Sequence, residues 1–326
     1  MSTTTTAAAR AVTVAAAVGL AAGGLAVSPA SGVSPTAVRT SAVTASLWLG
    51  PHAVDAHLAA DPPLAAISDR PGFMWLTNDT GTQTTVSRWE SEAAGKTVPV
   101  VLYDIPQRDL GSYSAGGAAS AAAYSTFIGH VAAGIGSHHA LVVLEPDALG
   151  QIPAMTSADR TARYSELSGA VSTLKKANPS TTVLIDASFW IGPAALASSL
   201  RSAGVAAADG FVLNTANFET TATMESTGEA VLSALSSAGV HGKSYAVDTS
   251  RNGAGPFTAG TDGQNWCNPP GRALGHRPAF APDPTHPRLY ADLWVKNPGE
   301  SDGTCKGGPV AGQFWQSYAD GLIARG

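Results

Sequence analysis

Carboxylates gather where apolar runs stop. Residues 141–149 read Leu-Val-Val-Leu-Glu-Pro-Asp-Ala-Leu, so an apolar run leads straight into Glu145, Pro146 and Asp147. A run of this kind reads as a strand buried on both faces. Proline cannot continue a central ladder, so the strand stops there and leaves two acids at its carboxyl end. The other reading of this stretch is a helix start with Asp147 as its N-cap. The juxtaposition recurs along the chain. Asp104 and Asp109 follow the run at 98–103, Asp186 and Asp248 end those at 182–186 and 244–248, and Glu300 and Asp302 follow that at 289–295. Trp75, Trp190, Trp266 and Trp294 lie at or near the same ends. An acid against an apolar rim can hold its proton at neutral pH. A protonated acid, a second carboxylate to activate water, and flat rings under a sugar are what cleavage of a glycosidic bond requires. Taken singly, each acid is more often a loop cap or an arginine partner. No His/Cys/acid group has metal-ligand spacing, and no Gly-x-Ser-x-Gly elbow is present. No metal or cofactor is expected.

Alternating elements must position these ends. Strands are expected at 72–76, 98–103, 141–144, 182–186, 209–214, 244–248 and 289–295. Helices are expected at 52–60, 118–133, 158–177, 193–203, 223–238 and 313–324, with a long Gly- and Pro-rich irregular stretch over 249–288. Asn178-Pro179 and Gly204 supply stop signals for two of the helices. Strand–helix alternation with polar clusters after the strands predicts an α/β fold. The expectation is a distorted, incomplete, TIM-like parallel β/α barrel, a single domain with its cleft at the C-terminal ends of the strands. A doubly wound sheet is the alternative. No dinucleotide or phosphate-loop fingerprint follows any strand.

The chain has 326 residues, 44% hydrophobic and 13% charged, with a net charge of −5 and no basic run. That argues against nucleic acid and anionic membrane surfaces as partners. Arg10 precedes an Ala/Val/Gly/Leu stretch over 11–27, and Ser28-Pro29-Ala30 offers small residues for cleavage. Residues 1–30 thus read as a secretory signal peptide. The stretch is weakly hydrophobic for a membrane span, which takes about 20 apolar residues, although an uncleaved anchor is the other reading. Residues 31–45 read as a disordered leader, and 46–326 as the folded domain. Secretion places Cys267 and Cys305 in an oxidising compartment, where a single disulfide is expected and two free thiols are the alternative.

Spacing alone does not assign roles. Tyr103-Asp-Ile-Pro-Gln-Arg-Asp109 with Gly111-Ser-Tyr-Ser-Ala-Gly-Gly117 resembles the first signature of glycoside hydrolase family 6, and Leu144-Glu-Pro-Asp147 resembles its second. The likeness continues through Gly210-Phe-Val-Leu-Asn-Thr-Ala-Asn-Phe218 and Val247-Asp-Thr-Ser-Arg-Asn-Gly253. It ends with Trp266-Cys-Asn-Pro-Pro-Gly-Arg-Ala-Leu-Gly275 and Trp294-Val-Lys-Asn-Pro-Gly-Glu-Ser-Asp-Gly303, in the family's order.

The resemblance implies a secreted, inverting hydrolase of cellulose or other β-1,4-glucan chains, needing no cofactor; a monomer is the expectation. It implies Asp147 as general acid, Asp109 as the aspartate supporting it, Asp302 as candidate base, and Tyr103 beside the sugar at the cleavage point. Lys296 and Glu300 match residues that hydrogen-bond the neighbouring glucose. Trp75 and Trp266 resemble stacking platforms there, and Trp190 a platform on the leaving side. Asp186, Asp248 and Asn217 match cleft-lining polar residues, with loop bracing as the other reading. The pair Cys267–Cys305 matches a family disulfide.

Two departures stand out. Leu110 occupies a position where the family commonly has a cysteine. Ile185-Asp-Ala-Ser-Phe-Trp190 is shorter than the family's segment and carries Phe189 in place of a histidine. Asp302 and Cys305 are nearly adjacent, which leaves no room for the long roof of chain-end-cutting members, so an open cleft and internal cutting are expected. A non-catalytic or weakly active glucan-binding relative, and a chain-end-cutting cellobiohydrolase, are the alternatives.

Overall fold

A computed structural model describes residues 47–326. The segments read as signal peptide and leader, 1–45, lie outside the described residues. Among the described residues no helix is long and apolar enough to cross a membrane. Element order is α1 (Ala65–Ser68), β1 (Met74–Leu76), α2 (Thr82–Ala93), β2 (Val98–Leu102), α3 (Ala121–Ile135), β3 (Ala140–Leu144), α4 (Ser157–Ala177), β4 (Thr182–Asp186), α5 (Pro193–Ser202), β5 (Gly210–Leu213), α6 (Thr221–Ser237), β6 (Ser244–Asp248), β7 (Ala279–Phe280), β8 (Leu289–Leu293) and α7 (Gln316–Ile323).

The strands are short Val/Ile/Leu runs, and β2, β3 and β5 are buried throughout. Helical crossovers between them force parallel pairing. The sheet order is β1-β2-β3-β4-β5-β6-β8-β7, parallel except for the antiparallel edge strand β7. Alternate residues face opposite layers. Val101, Val143, Leu184, Val212 and Ala246 fill the concave interior, while Val100, Val142, Val183, Phe211 and Val247 pack beneath the helices. Helix starts follow local chemistry: the hydroxyls of Ser120, Thr156 and Thr220 cap α3, α4 and α6.

The barrel is incomplete, as expected. No ladder joins β1 to β8. Side chains bridge the gap instead. The Trp75 indole N–H donates to the Val295 carbonyl at 3.0 Å, and Asn297 Nδ2 donates to the Phe73 carbonyl at 3.1 Å. A platform expected from its ring is therefore also a side-chain seam in the sheet.

Some local expectations need correction. The first expected helix is only a 3₁₀ turn, Ala53–His57. The crossover between β1 and β2 contains α2, which turn signals alone do not reveal. Trp294 is core, 2% exposed, with its indole donating to the His276 carbonyl.

Candidate active site

The ends of the parallel strands open into a cleft of about 930 Å³. Tyr103, Asp109, Asp147 and Asp302 line it, together with Trp75, Trp190, Trp266, Asn217, Lys296 and Glu300. Residues that follow strands from β1 to β8 thus share one cleft. Asp186 and Asp248 are not among its lining residues, which favours loop bracing, the other reading of the sequence, for these two.

The site is built from strained loops. Residues in the left-handed region follow four successive strands: Gln107 and Asp109 after β2, Glu145 and Asp147 after β3, Ser188 after β4, Asn214 and Ala216 after β5. Such conformations cost on the order of 1–3 kcal/mol each and persist only where surroundings over-determine them. Glu145 supplies one such constraint. Its carboxyl is sealed inside, and its two oxygens accept from the backbone N–H groups of Asp104 and Ile105, both at 3.1 Å. It clamps the end of β3 to the end of β2. Burial pushes this carboxyl up to about 8.

Asp186 does similar work on the other side. It is 1% exposed, and its Oδ1 accepts from the backbone of Asp147 and of Ser188, both at 3.0 Å. Burial raises it to about 6. Asp248 is fully buried. Its Oδ2 accepts from Ala216 N at 2.9 Å and Lys296 N at 3.0 Å, and its Oδ1 from Ser250 N at 2.9 Å. These two acids brace the loops that carry Asp147, Asn217 and Lys296. Asp248 has backbone donors on both oxygens, whereas Asp186 has them on Oδ1 alone and its Oδ2 is buried without a hydrogen-bond partner; the backbone donors tie both acids to the framework.

Asp147 is different: its side-chain oxygens have no protein donor among the described hydrogen bonds. Burial first, then the nearby charges of Asp186, Asp109 and Asp302, hold its carboxyl well above the ordinary carboxylate range. That is the condition for an acid that still carries its proton at neutral pH. Asp109 accepts from Ser114 N at 2.8 Å and from Gln151 Nε2 at 3.3 Å. Burial raises it as well, and those bonds pull it partly back. Tyr103 is 6% exposed, edge-on to Trp75 at 5.4 Å, with the Arg108 guanidinium 4.8 Å from its ring centre. Burial, then the charges of Asp147 and Asp109, keeps this phenol protonated.

Across the cleft, Asp302 is held by residues that spacing alone did not single out. Arg251 Nη1 donates to its Oδ2 at 2.9 Å, and Asn268 N donates to the same oxygen at 3.0 Å. Asn268 Oδ1 in turn accepts from Asp302 N at 2.8 Å. Lys296 Nζ lies 3.8 Å from Oδ1 and donates to the Ser301 carbonyl at 3.1 Å. Arg251 and Asn268 both fall inside the recognised motifs, and that is their sequence signal. Cys267 and Cys305 are joined, as expected, and Asn268 Nδ2 donates to the Cys305 carbonyl at 3.2 Å. The bridge and the asparagine hold the Asp302 loop as one piece.

The rings flank these acids. Trp266 is 41% exposed and Trp190 47% exposed. Trp190 donates its indole N–H to the Gly150 carbonyl at 3.0 Å. A Cβ on Gly150 would lie 2.3 Å from the Trp190 ring, so only glycine admits this pose. Phe189 packs edge-on against Trp190 at 5.3 Å. The shortened segment therefore still delivers an exposed indole to the cleft. Glu300 is anchored by Asn297 Nδ2 at 3.1 Å, and Asn217 Nδ2 donates to the Thr215 carbonyl at 3.0 Å.

A curled, mostly parallel sheet whose cleft holds a carboxyl raised above its ordinary range among further carboxylates and exposed indoles has the makings of a glycoside hydrolase of the β/α-barrel class. The chain belongs to the glycosyl hydrolases family 6, whose model matches residues 41–326. It is 42% identical over 229 residues to Endoglucanase A of Cellulomonas fimi, covering 70% of this chain and 47% of that protein. It is 37% identical over 317 residues to Endoglucanase 1 of a Streptomyces species, strain KSM-9, covering 87% and 85%. The chain thus spans about half the length of the first relative and most of the second. Relatives named as probable 1,4-beta-D-glucan cellobiohydrolase C are more distant, at 28% identity for that of Neosartorya fischeri over 80% of this chain. Among solved structures, an endoglucanase from Mycobacterium tuberculosis, in complex with methyl-cellobiosyl-4-deoxy-4-thio-beta-D-cellobioside, superposes with a TM-score of 0.78 at 39% identity. That match covers 85% of this chain and 94% of the other.

Proposed function

We propose that this glycoside hydrolase cuts internal β-1,4-glucosidic bonds of cellulose and related β-glucans with inversion, acting outside the cell as a monomer. The observation that carries the reading is Asp147, free of protein donors on its carboxyl and pushed upward by burial and by neighbouring acids. In this reading Asp147 protonates the leaving oxygen. In an oxocarbenium-like transition state the bond from the anomeric carbon to that oxygen breaks, while a water adds to the opposite face and gives up a proton to Asp302. Asp109 keeps the acid protonated until substrate arrives. Tyr103 lies beside the reacting ring and favours its distortion. Trp75, Trp266 and Trp190 stack on glucosyl rings along the groove. Lys296, Glu300 and Asn217 bond the hydroxyls of those rings.

Internal cutting follows from the short connection between Asp302 and Cys305. No long insertion stands over the groove there, and the two most exposed indoles lie on its rim. A chain without a free end can lie across such a groove.

The test uses carboxymethylcellulose. Viscosity should fall steeply while few reducing ends have formed, and proton NMR of fresh products from cello-oligosaccharides should show the α-anomer first. Slow viscosity loss with cellobiose as the main early product would overturn the endo assignment. Initial β-anomer would overturn inversion. Asp147→Ala should abolish turnover of substrates with poor leaving groups, and an unchanged rate would remove the acid assignment.

A further inference from the structure

Tyr113 is a large side chain on the cleft wall, 36% exposed, and it joins two loops that carry acids. It stands in the turn after β2, shortly beyond Asp109. Its two chain neighbours are bonded to that aspartate. Ser112 N donates to the Asp109 carbonyl at 2.9 Å, and Ser114 N donates to Asp109 Oδ2 at 2.8 Å. Arg108 Nε donates to the Ser114 carbonyl at 2.7 Å and closes the turn. The base of the Tyr113 side chain is therefore fixed relative to Asp109.

The far end of the side chain is fixed relative to Asp302. The ring lies on Gly303, where a Cβ would meet Tyr113 atoms at 2.5 to 2.8 Å, so only glycine admits the contact. Gly303 is itself held. Its N–H donates to Ser301 Oγ at 3.1 Å, and its carbonyl accepts from Asn268 Nδ2 at 2.7 Å. The phenol makes a second attachment, donating to Gln264 Oε1 at 3.1 Å. The Gln264 carbonyl accepts from Cys267 N at 3.1 Å and from Lys306 Nζ at 2.6 Å, so this partner is anchored at both halves of the disulfide segment. The Trp266 ring lies 6.0 Å from that of Tyr113, tilted by 59°. One side chain thus reaches from the turn of Asp109 to the main chain beside Asp302. No ladder joins β1 to β8, so the sheet leaves the distance between these two loops to side chains.

We propose that Tyr113 is a positioning residue for hydrolysis: it ties the turn of Asp109 to the loop of Asp302 and so sets the space between the acid side and the water side of the cleft. The inference rests on the reading of Asp147 and Asp109 as the acid side and of Asp302 as the base. Inverting cleavage needs room for one water between the base and the sugar. A misplacement of about 1 Å can cost on the order of 100-fold in rate. The ring sets the distance through its contact with Gly303, and the hydroxyl adds a weaker second hold through Gln264.

The test compares Tyr113→Ala and Tyr113→Phe with wild type, in kinetics on cello-oligosaccharides and in hydrogen exchange followed by mass spectrometry, both well below Tm. Tyr113→Ala should lower kcat by about 10–100-fold while KM changes by no more than about threefold. Tyr113→Phe keeps the ring on Gly303 and loses one hydrogen bond, so its kcat should fall by only about fivefold or less. In Tyr113→Ala, exchange should quicken over 109–117 and over 301–306 together. That readout needs no turnover. Wild-type kcat in Tyr113→Ala would overturn the proposal. A rise in KM alone would also overturn it, by making Tyr113 a sugar contact, as would faster exchange confined to 109–117. A wild-type chain that cleaves no cello-oligosaccharide, yet shows the coupled exchange on losing the ring, would overturn the reading of the site's reaction and support the tie.

Discussion

Arg251 meets Asp302 at 2.9 Å, with both side chains almost sealed from solvent. The arginine fork also donates to the Ala216 carbonyl, next to Asn217 on the cleft floor. One guanidinium thus couples the candidate base to the loop after β5. Arg251→Lys keeps the charge and loses the fork. It should lower kcat by about 10–100-fold, with a smaller effect on KM, if Asp302 acts on water. Arg251→Met removes the nearer of the two cations around the buried Asp302 carboxylate, leaving Lys296 at 3.8 Å, and should cost up to about 3–5 kcal/mol of stability, read by urea unfolding. A lysine variant with wild-type kcat would show that the orientation of Asp302 is not used.

The pH profile should report the Asp147–Asp186 pair. In the proposed role Asp147 must be protonated, so activity should be lost as pH rises through its raised pKa. Asp186 ionises near 6, and above that its charge makes Asp147 harder to ionise. Asp186→Asn retains an accepting oxygen for the Asp147 and Ser188 amides but removes the charge. The alkaline limb of kcat/KM should then move to lower pH, by about one unit. An unmoved limb would mean that Asp186 acts by bracing alone.

Glu90 should make the protein less stable as pH rises. It is 2% exposed, neither oxygen has a partner, and burial lifts it from 4.5 to about 8. The folded state therefore binds a proton that the unfolded chain has released. This contribution is intact below 4.5 and is lost as pH climbs through 8. Glu90→Met removes the penalty at little cost in volume. It should raise Tm at pH 8 by several degrees, equivalent to a few kcal/mol, and by much less at pH 5. Equal gains at both pH values would point to packing instead of charge.

The disulfide should matter to both stability and turnover. Cys267 and Cys305 close a loop with a sequence separation of 38, worth about 4 kcal/mol by the chain-entropy relation. Because Asn268 ties Cys305 to Asp302, Cys267→Ser with Cys305→Ser should also lower kcat at temperatures well below the new Tm. Loss of Tm with unchanged kcat would confine the bridge to a structural role.

Much of this was legible in the residues. The apolar runs named the parallel strands, and Asn178-Pro179 and Gly204 marked the ends of α4 and α5 to within a few residues. Helix α2 was missed because its buried face mixes Thr82, Val86, Trp89 and Glu90, which breaks an apolar stripe. The two-residue strand β7 has no pattern of its own and exists through pairing with β8. The incompleteness of the barrel was expected, but the seam made by Trp75 and Asn297 was not, since its partners lie at opposite ends of the chain.

By itself the sequence determined where acids and indoles stand relative to strand ends, because apolar periodicity and turn chemistry act over a few residues. It did not distinguish the acids from one another. Asp147, Asp186 and Asp248 share a local signature, yet the latter two are occupied by backbone donors from other loops. Only the tertiary structure decided which carboxyl lines the groove without a protein donor and is held well above the ordinary carboxylate range. A pKa and a hydrogen-bond partner depend on groups brought near by folding, not on neighbours in the chain.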